Sequence, residues 1–433
     1  MENNILHRCN LFSLAAVCLM LFTGPKASAV GFVDTFKDSQ AFDQGYLSAL
    51  HTFKANKALL PQAVARLKPR VDATFDQNWF QVSDRNSNHN YGLTITQPFN
   101  ISSYYEYKAS QHVDINAKNV FDSATQGLIF DVIDKYIQFF RQRDVLDMAR
   151  AELTLVNTHR GQLRQQFLLG AIAQSAWTDT LALQKQTALS LLQAEDEYHK
   201  AIVFLRMLTK EVPDSVAGFV ANTFPLIPLS PLTLGEWLTL AGDNNLDIRM
   251  AEQSAKRAFY IYKTTDSNKY PTASLNASHF QHYNANGLGQ SGNTTNFSLN
   301  MSSKIFDFGL NDAQTMVDKE TWNALKSDRE HALSYVKNQV TVRHHFSQTS
   351  LELITHLNEL LELKQLALGA MKKEQLIGRL NLANVLSFER QIFSIRRHLS
   401  TAHFDHVLNT ANIKKVSGIL GEDDLAQFDR WLN

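Results

Sequence analysis

Two pairs of histidines are the residues of this sequence whose type and spacing come nearest to a metal site. His344 and His345 are adjacent, and His279 and His282 are separated by two residues. Adjacent side chains on a helix diverge by about 100°, and side chains three apart on a strand point to opposite faces of the sheet. Because neither pair converges on one ion, the sequence predicts no metal ligands and no cofactor.

Motifs for catalysis and phosphate binding are not found in the sequence either. It contains no nucleophile elbow, phosphate-binding loop or zinc-ligand spacing, and Gly287-Leu-Gly289 lies in an asparagine-rich turn that does not open a helix. The chain has 42 basic and 42 acidic side chains, without the basic excess of a typical nucleic-acid binder. The sequence therefore indicates neither an enzyme nor a nucleic-acid-binding protein.

The first 29 residues have the composition of a secretory signal peptide. A basic start precedes a 12-residue apolar run, Leu11–Phe22, and Ala27-Ser-Ala29 forms a small-x-small cleavage site. The apolar run is shorter than the roughly 20 residues that span a bilayer. Both cysteines, Cys9 and Cys18, fall inside this segment, so the processed chain would have none. Lipid attachment at Cys18 is a weaker alternative, because the bulky Val17 precedes it.

Two halves of similar pattern follow the leader, about 207 residues apart. In each half, a strand-like stretch precedes a long helical pattern, a glycine and a second helical run. The long patterns cover about Ser103–Phe167 and Leu310–Gln375, and the glycines are Gly170 and Gly378. The first pattern has 65 residues without proline, enough for a helix of roughly 98 Å. That length favours a coiled coil or helical barrel, although several shorter helices remain an alternative.

Four strands are predicted, as two pairs. They cover Asp72–Val82, Asn90–Phe99, Pro271–Tyr283 and Thr294–Phe306, with a polar turn at Ser83–His89. Apolar and small polar side chains alternate in the second and fourth strands. This is the pattern of a membrane barrel strand around a wet lumen, and a soluble hairpin would look similar. Because four strands cannot enclose a water-filled lumen, a membrane role would require several chains to share one barrel.

Seven short motifs, in their order and spacing, resemble those of the TolC-type outer-membrane efflux proteins. They are Ala65–Val71, Gly92–Phe99, Phe167–Ala171, Tyr270–Leu275, Ile305–Gly309, Leu376–Leu380 and Asn412–Leu420. The resemblance covers essentially the whole chain after the leader. It implies an α+β membrane protein that forms a homotrimer. Each chain would give four strands to a 12-stranded β-barrel, which a long periplasmic α-helical barrel continues.

The resemblance also implies how the chain is divided. A signal peptide at 1–29 would precede a first repeat at 30–211, with a helix, two strands and a long helical hairpin. An equatorial connection at 212–270 would follow, with short helices over Leu234–Ala241 and Ile248–Tyr262. The second repeat at 271–433 would end in a short C-terminal helix. The strands would join the long helices at Pro98, Phe99, Phe306 and Gly309.

The function implied by the resemblance is that of a passive channel in the outer membrane of a Gram-negative bacterium, extending into the periplasm. It would be the exit duct of a tripartite efflux or type I secretion system. Its partners would be two further copies of the chain, outer-membrane lipid, a periplasmic adaptor protein and an inner-membrane transporter of the RND, ABC or MFS class. The alternative is a periplasmic coiled-coil scaffold or adhesin without a channel.

The family's adaptor-docking and gate positions can be matched to residues of this sequence. The adaptor would dock at the hairpin tips, namely Gly170, Ala171, Gly378 and Arg379. The family's ring of aspartates at the periplasmic aperture corresponds to Asn384 and Ser387. Its gate-closing arginine and tyrosine correspond to Leu380 and Gln375, and their partners to Ser175 and Ala176.

We therefore expect an aperture that carries no charge and is kept closed by packing and amide hydrogen bonds. If the match is shifted by a residue or two, Asn384 would instead be an ordinary helix-start residue.

Overall fold

Long helices dominate the structure, and two pairs of strands interrupt them. The computed structural model describes residues 31–80, 86–209, 229–231, 233–283 and 291–430. The expected signal peptide, the Gly287-Leu-Gly289 turn and the start of the expected connection lie outside these residues. Within the described ranges, no helix combines the length and the apolar character needed to cross a membrane.

The described ranges contain nine α-helices and four β-strands, which are numbered in chain order. The helices are α1 Phe32–Phe42, α2 Gln44–Arg66, α3 Ile101–Leu168, α4 Gln174–Thr209, α5 Leu234–Asn244, α6 Leu246–Asp266, α7 Leu310–Leu376, α8 Leu382–Val416 and α9 Glu422–Asp429. The strands are β1 Arg70–Phe80, β2 Asn86–Phe99, β3 Thr272–Tyr283 and β4 Gly292–Ser302.

The two longest helices confirm the prediction of single long helices. Helix α3 has 68 residues and α7 has 67, so each is about 100 Å long. Neither contains proline, the residue that would remove a backbone donor and kink the helix. The alternative of several shorter helices is wrong.

The same order of elements occurs twice. The first series is α2–β1–β2–α3–α4, and the second is α6–β3–β4–α7–α8. Corresponding helices have similar lengths: 23 and 21 residues for α2 and α6, and 36 and 35 for α4 and α8. Helix α6 therefore occupies in the second series the place that α2 has in the first.

One antiparallel sheet contains all four strands in the order β1-β2-β3-β4. Leu93, Ile95 and Leu299 are exposed on one face, as the alternating pattern predicts. The opposite face carries mostly small polar side chains, including Thr94 opposite Ser278. Strands β1 and β4 lie at the two edges of the sheet.

Several strand boundaries differ from the prediction, and β4 begins at Gly292, two residues earlier than expected. Strand β1 begins at Arg70, and β2 begins at Asn86, inside the stretch expected to be a turn. Strand β4 ends at Ser302, so its predicted extension to Phe306 is wrong. Ser302 pairs with Thr272, and the residue before Thr272 is Pro271, which has no backbone N–H to continue the ladder.

The helices pack in two rows, one near the sheet and one nearer the hairpin tips. The long helices α3 and α7 run through both rows. Near the sheet, contacts link α2 to α3, α3 to α6, and α6 to α7. In the half nearer the hairpin tips, they link α4 to α3, α3 to α8, and α8 to α7. Helices α4 and α7 are the edges of this second row, and both carry exposed leucines, including Leu192 and Leu366.

The largest hydrophobic core lies where the two ends of the described chain meet. Phe32 and Phe428, from α1 and α9, pack with Tyr136 of α3 in this core. The Asp429 carboxylate accepts hydrogen bonds from the backbone N–H groups of Phe32 at 2.5 Å and Val33 at 3.2 Å. It thereby satisfies donors that the first turn of α1 leaves free.

Candidate functional site: the hairpin tips and the helices behind them

The turn between α3 and α4 is built around Gly170. Its backbone has φ 72°, in the left-handed region. The Gly170 N–H donates to the Phe167 carbonyl at 2.9 Å, and the Ala171 N–H donates to the Gln166 carbonyl at 2.8 Å. This is the Schellman ending of a helix, in which glycine adopts positive φ without a steric penalty.

The turn between α7 and α8 repeats this geometry. Gly378 has φ 76°, and its N–H donates to the Gln375 carbonyl at 3.0 Å. The Arg379 N–H donates to the Glu374 carbonyl at 3.0 Å. Both glycine turns predicted from the sequence are therefore confirmed, and both close in the same way.

Each tip presents two apolar side chains to solvent just before its glycine. Leu168 and Leu169 are exposed at the first tip, the latter at 83%. Leu376 and Ile377 are exposed at the second, at 81% and 65%. Apolar side chains at such exposed ends are typical of contact surfaces for other proteins.

The start of α8 carries the two residues expected at the aperture. Asn381 is the N-cap, and its Oδ1 accepts from the Ala383 N–H at 2.9 Å. Asn384 is the third residue of the helix, and both it and Ser387 are exposed. Positions three apart lie on neighbouring parts of one helix face, so the two side chains point in a similar direction.

The four other residues expected at the gate are Leu380, Gln375, Ser175 and Ala176. Leu380 and Gln375 are half-buried, Ser175 is exposed, and Ala176 is half-buried. The Ala176 carbonyl accepts from Thr180 Oγ1 at 2.8 Å, which is an interaction within α4. Across the described residues, no side-chain hydrogen bond joins the first two to the second two.

The strand-to-helix junctions differ between the halves. Pro98 pairs with Ser274 in the β2–β3 register, and Phe99 is the last residue of β2. Phe306 lies after β4 instead of within it, and its ring packs edge-on against Phe308 with 4.5 Å between centroids. Gly309, at φ 83°, directly precedes α7, and its N–H donates to Asp307 Oδ1 at 3.2 Å.

A buried carboxylate holds two arginines where α3 and α8 pack. Glu152 of α3 is 4% exposed. Its Oε1 accepts from Arg390 Nε at 3.0 Å, and its Oε2 accepts from Arg397 Nη1 at 2.9 Å. Both arginines belong to α8, so one acidic residue ties the two halves of the chain together.

A second buried carboxylate lies closer to the tips and connects three helices. Glu389 of α8 has Oε2 at 2.8 Å from His159 Nε2 of α3. Its Oε1 lies 2.7 Å from Lys372 Nζ of α7. Because an isolated buried carboxylate is costly, these two contacts offset the cost of burying Glu389.

Farther from the tips, the same helices bury titratable groups with shifted pKa values. Burial raises the pKa of Asp144, and a hydrogen bond from Ser400 Oγ at 3.0 Å offsets part of that effect. Burial also lowers the pKa of His403, with a smaller contribution from nearby His406. These two shifts predict that the stability of this part of the helices depends on pH.

These buried charges were not predicted from the sequence. Arg390 and Arg397 are seven residues apart, two helical turns, and so lie on one face of α8. That spacing was the available signal. Only the packing of α3 against this face shows that Glu152 is their partner.

No metal centre emerges from the described ranges, in which no three histidine, cysteine, aspartate or glutamate side chains are arranged to hold an ion. His344 is buried, whereas His345 is exposed. His279 Nδ1 lies 2.8 Å from Thr295 Oγ1, and His282 Nδ1 lies 3.1 Å from Asn90 Oδ1. The members of each pair point apart, as the helix and strand geometry predicts.

Comparison with known proteins shows what this chain is similar to. Residues 237–418 match the family model described as outer membrane efflux protein. The alkaline protease secretion protein AprF of Pseudomonas aeruginosa is 22% identical over 427 residues, covering 94% of this chain and 88% of AprF. The chain is similar to outer membrane efflux proteins. The chain also shares 22% identity over 400 residues with TolC of Salmonella enteritidis, covering 88% of the chain and 78% of TolC.

The fold of this chain is that of solved outer-membrane channel structures. The outer membrane protein VceC of Vibrio cholerae superposes with a TM-score of 0.77 at 15% identity, covering 90% of this chain and 97% of VceC. The similarity to outer-membrane efflux and secretion proteins supports an outer-membrane channel. It favours the channel over a scaffold or adhesin.

Proposed function

We propose that three copies of this chain form one channel, the passive exit duct of a tripartite efflux or type I secretion system. The observation that carries the proposal is that one chain leaves both sheet edges unpaired. Strands β1 and β4 are the outer strands of the sheet. In a membrane, unpaired backbone groups must find partners, and β4 of one copy can pair with β1 of the next. Twelve strands then close around a water-filled lumen.

The helices support the same assembly. The edges of the second helix row, α4 and α7, expose apolar side chains along their length: Leu181, Leu189, Leu192 and Phe204 on α4, and Leu353, Leu360, Leu363 and Leu366 on α7. Contiguous apolar surface of this kind marks a protein interface. We infer that α4 of one copy packs against α7 of its neighbour, which closes the helices into a tube.

The sheet has one face suited to lipid and one suited to water. Val71, Leu93, Ile95, Leu275 and Leu299 are exposed on the same face. That face would contact outer-membrane lipid, and the small polar face would line the lumen. The repeated order of elements fits two internal repeats, the first over 30–211. Because α6 repeats α2, the second repeat would begin at Leu246, inside the connection expected at 212–270, instead of at 271.

The hairpin tips are the proposed contact with a periplasmic adaptor. Gly170-Ala171 and Gly378-Arg379 form two similar turns, each beside an exposed apolar pair. The adaptor would connect the channel to an inner-membrane transporter of the RND, ABC or MFS class. Asn384 and Ser387 would surround the aperture in three copies and leave it without charge.

Assembly and location are tested together by membrane fractionation and native mass spectrometry. The protein should fractionate with outer membranes and give the mass of three processed chains in mild detergent. Leu363→Glu with Leu366→Glu should reduce the trimer to monomer, because charge would enter the α4–α7 contact. Gln365→Glu, at an exposed polar position between them, is the matched control. A periplasmic monomer would overturn the proposal.

A further inference from the structure

Two aromatic rings stand out on the small polar face of the sheet. In the barrel of the proposed function, on which this inference rests, that face lines the lumen. Its described side chains are otherwise serine, threonine, asparagine, glycine, proline, one arginine and two aspartates. The exceptions are Phe280 and His282 of β3. Phe280 is apolar and His282 carries an aromatic imidazole, so both differ from the small polar side chains around them.

Phe280 lies flat against the neighbouring strand. It is directly opposite Gly92 of β2 in the register. A Cβ atom at position 92 would lie only 2.1 Å from a carbon of the ring, so no residue other than glycine leaves room for the ring in this position. The ring therefore covers the wall and does not obstruct the lumen.

His282 adds a second, polar aromatic ring beside Phe280. Its centroid lies 6.1 Å from that of Phe280, and the rings are inclined by 21°. The His282 Nδ1 lies 3.1 Å from Asn90 Oδ1, which fixes the orientation of the imidazole. Together the rings form an aromatic surface across β3.

A carboxylate lies in the same row of the sheet. Asp76 of β1 pairs with Asn90, which in turn pairs with His282. Strands are about 4.8 Å apart, so Asp76 and His282 are separated by roughly 10 Å along the row. Asp76 is exposed, and among the described residues no cation lies within ion-pair distance of it.

We propose that Asp76, Phe280 and His282 form a lumen subsite for organic cations that carry an aromatic or apolar group. The cationic group of such a molecule would lie near Asp76, while its ring packs on Phe280 and His282. An aromatic anion would meet the Asp76 carboxylate and be repelled. Each of three copies would supply one subsite, on the wall of a barrel about 24 Å wide. Weak, repeated contacts suit a duct, because a tightly bound cargo could not leave.

Ligand-observed saturation-transfer NMR on the assembled protein in lipid nanodiscs tests this subsite. The probes are benzyltrimethylammonium, the aliphatic cation tetraethylammonium and the aromatic anion benzenesulfonate. Benzyltrimethylammonium should bind more tightly than the other two. Asp76→Asn and Phe280→Leu should each weaken its binding by roughly two- to fivefold. Leucine still covers Gly92, so Phe280→Leu tests the ring and not the fold of the strand.

Asp72→Asn is the matched control for the charge. Asp72 is the other lumen carboxylate of β1, but it is paired with Arg70 at 2.7 Å, so its loss should leave benzyltrimethylammonium binding unchanged. Equal binding of all three probes, or an Asp76→Asn affinity equal to that of the unmodified protein, would overturn the subsite.

Cysteine labelling separates failure of the subsite from failure of the channel. The processed chain would contain no cysteine, so Ser278→Cys and Ala277→Cys each introduce a single thiol. A membrane-impermeant maleimide should label position 278 in the lumen and not position 277 against lipid. Reversed labelling would overturn the proposed barrel and the subsite with it. The expected labelling with no selectivity among the probes would overturn the subsite alone.

Discussion

The Glu152 carboxylate of α3 lies 2.9 Å from the Arg397 guanidinium of α8 and is almost fully buried. Arg390 holds the other carboxylate oxygen, so one negative charge balances two positive ones. This contact joins helices that are far apart in the sequence. It also lies between the long helix of the first half and the hairpin that carries Asn384.

Glu152→Gln should destabilise the α3–α8 packing. The amide keeps the shape but removes the charge, which leaves two guanidinium groups facing each other without a counter-ion. Loss of one partner of a buried ion pair costs about 3 kcal/mol. Thermal unfolding in detergent measures the effect. Glu195→Gln, on an exposed face of α4, should change the unfolding temperature little, and equal temperatures for the two variants would contradict the prediction.

Gly170→Ala should weaken the first hairpin tip. Alanine at positive φ costs about 1–2 kcal/mol, which hydrogen exchange of the turn amides would detect as faster exchange. Gly161 lies inside α3 with open space around its Cα, so Gly161→Ala should instead stabilise the helix by roughly 0.5–1 kcal/mol. The two substitutions in one helix should have opposite signs, and the same sign for both would be evidence against the role of Gly170.

Stability should decrease below neutral pH because of His403. Burial lowers the pKa of this histidine in the folded protein, whereas its pKa in the unfolded chain is near the ordinary value of 6.5. Between the folded pKa and about 6.5, the unfolded chain binds more protons, so the free energy of unfolding falls as the pH is lowered through this range. His403→Gln removes that contribution.

Unfolding temperatures between pH 8 and pH 5 should therefore depend less on pH in His403→Gln than in the unmodified protein. His398→Gln, at an exposed position of the same helix, is the control and should leave the pH dependence unchanged. Identical pH dependence in all three proteins would show that His403 does not contribute.

Asn384→Asp should convert the proposed aperture into a cation-binding ring. Three carboxylates brought together would attract multivalent cations from the periplasmic side. In planar bilayers, hexaamminecobalt(III) should block the variant at roughly tenfold lower concentration than the unmodified channel. Ala383→Asp places the same charge about 100° away around the helix and should have a smaller effect. Equal block of all three channels would remove Asn384 from the aperture.

Much of the architecture could be predicted from the sequence, because it depends on local patterns. The absence of proline and the helical spacing of apolar residues predict α3 and α7, and Gly170 and Gly378 mark the turns where each reverses. Alternation in β2 and β4 predicts which face of the sheet is apolar. These signals need no knowledge of what each element packs against.

Strand ends and buried charges could not be predicted in this way, because they depend on the partner strand or helix. Strand β4 stops at Ser302 because its neighbour begins after Pro271, and nothing in the sequence of β4 itself marks that end. Glu152 and Glu389 look like ordinary surface acids until α3, α7 and α8 are packed together. The sequence by itself determined the helices, the glycine turns and the two faces of the sheet. Only the tertiary structure decided which charges are buried and paired, because the cost of burying a charge depends on the partners that the fold brings to it.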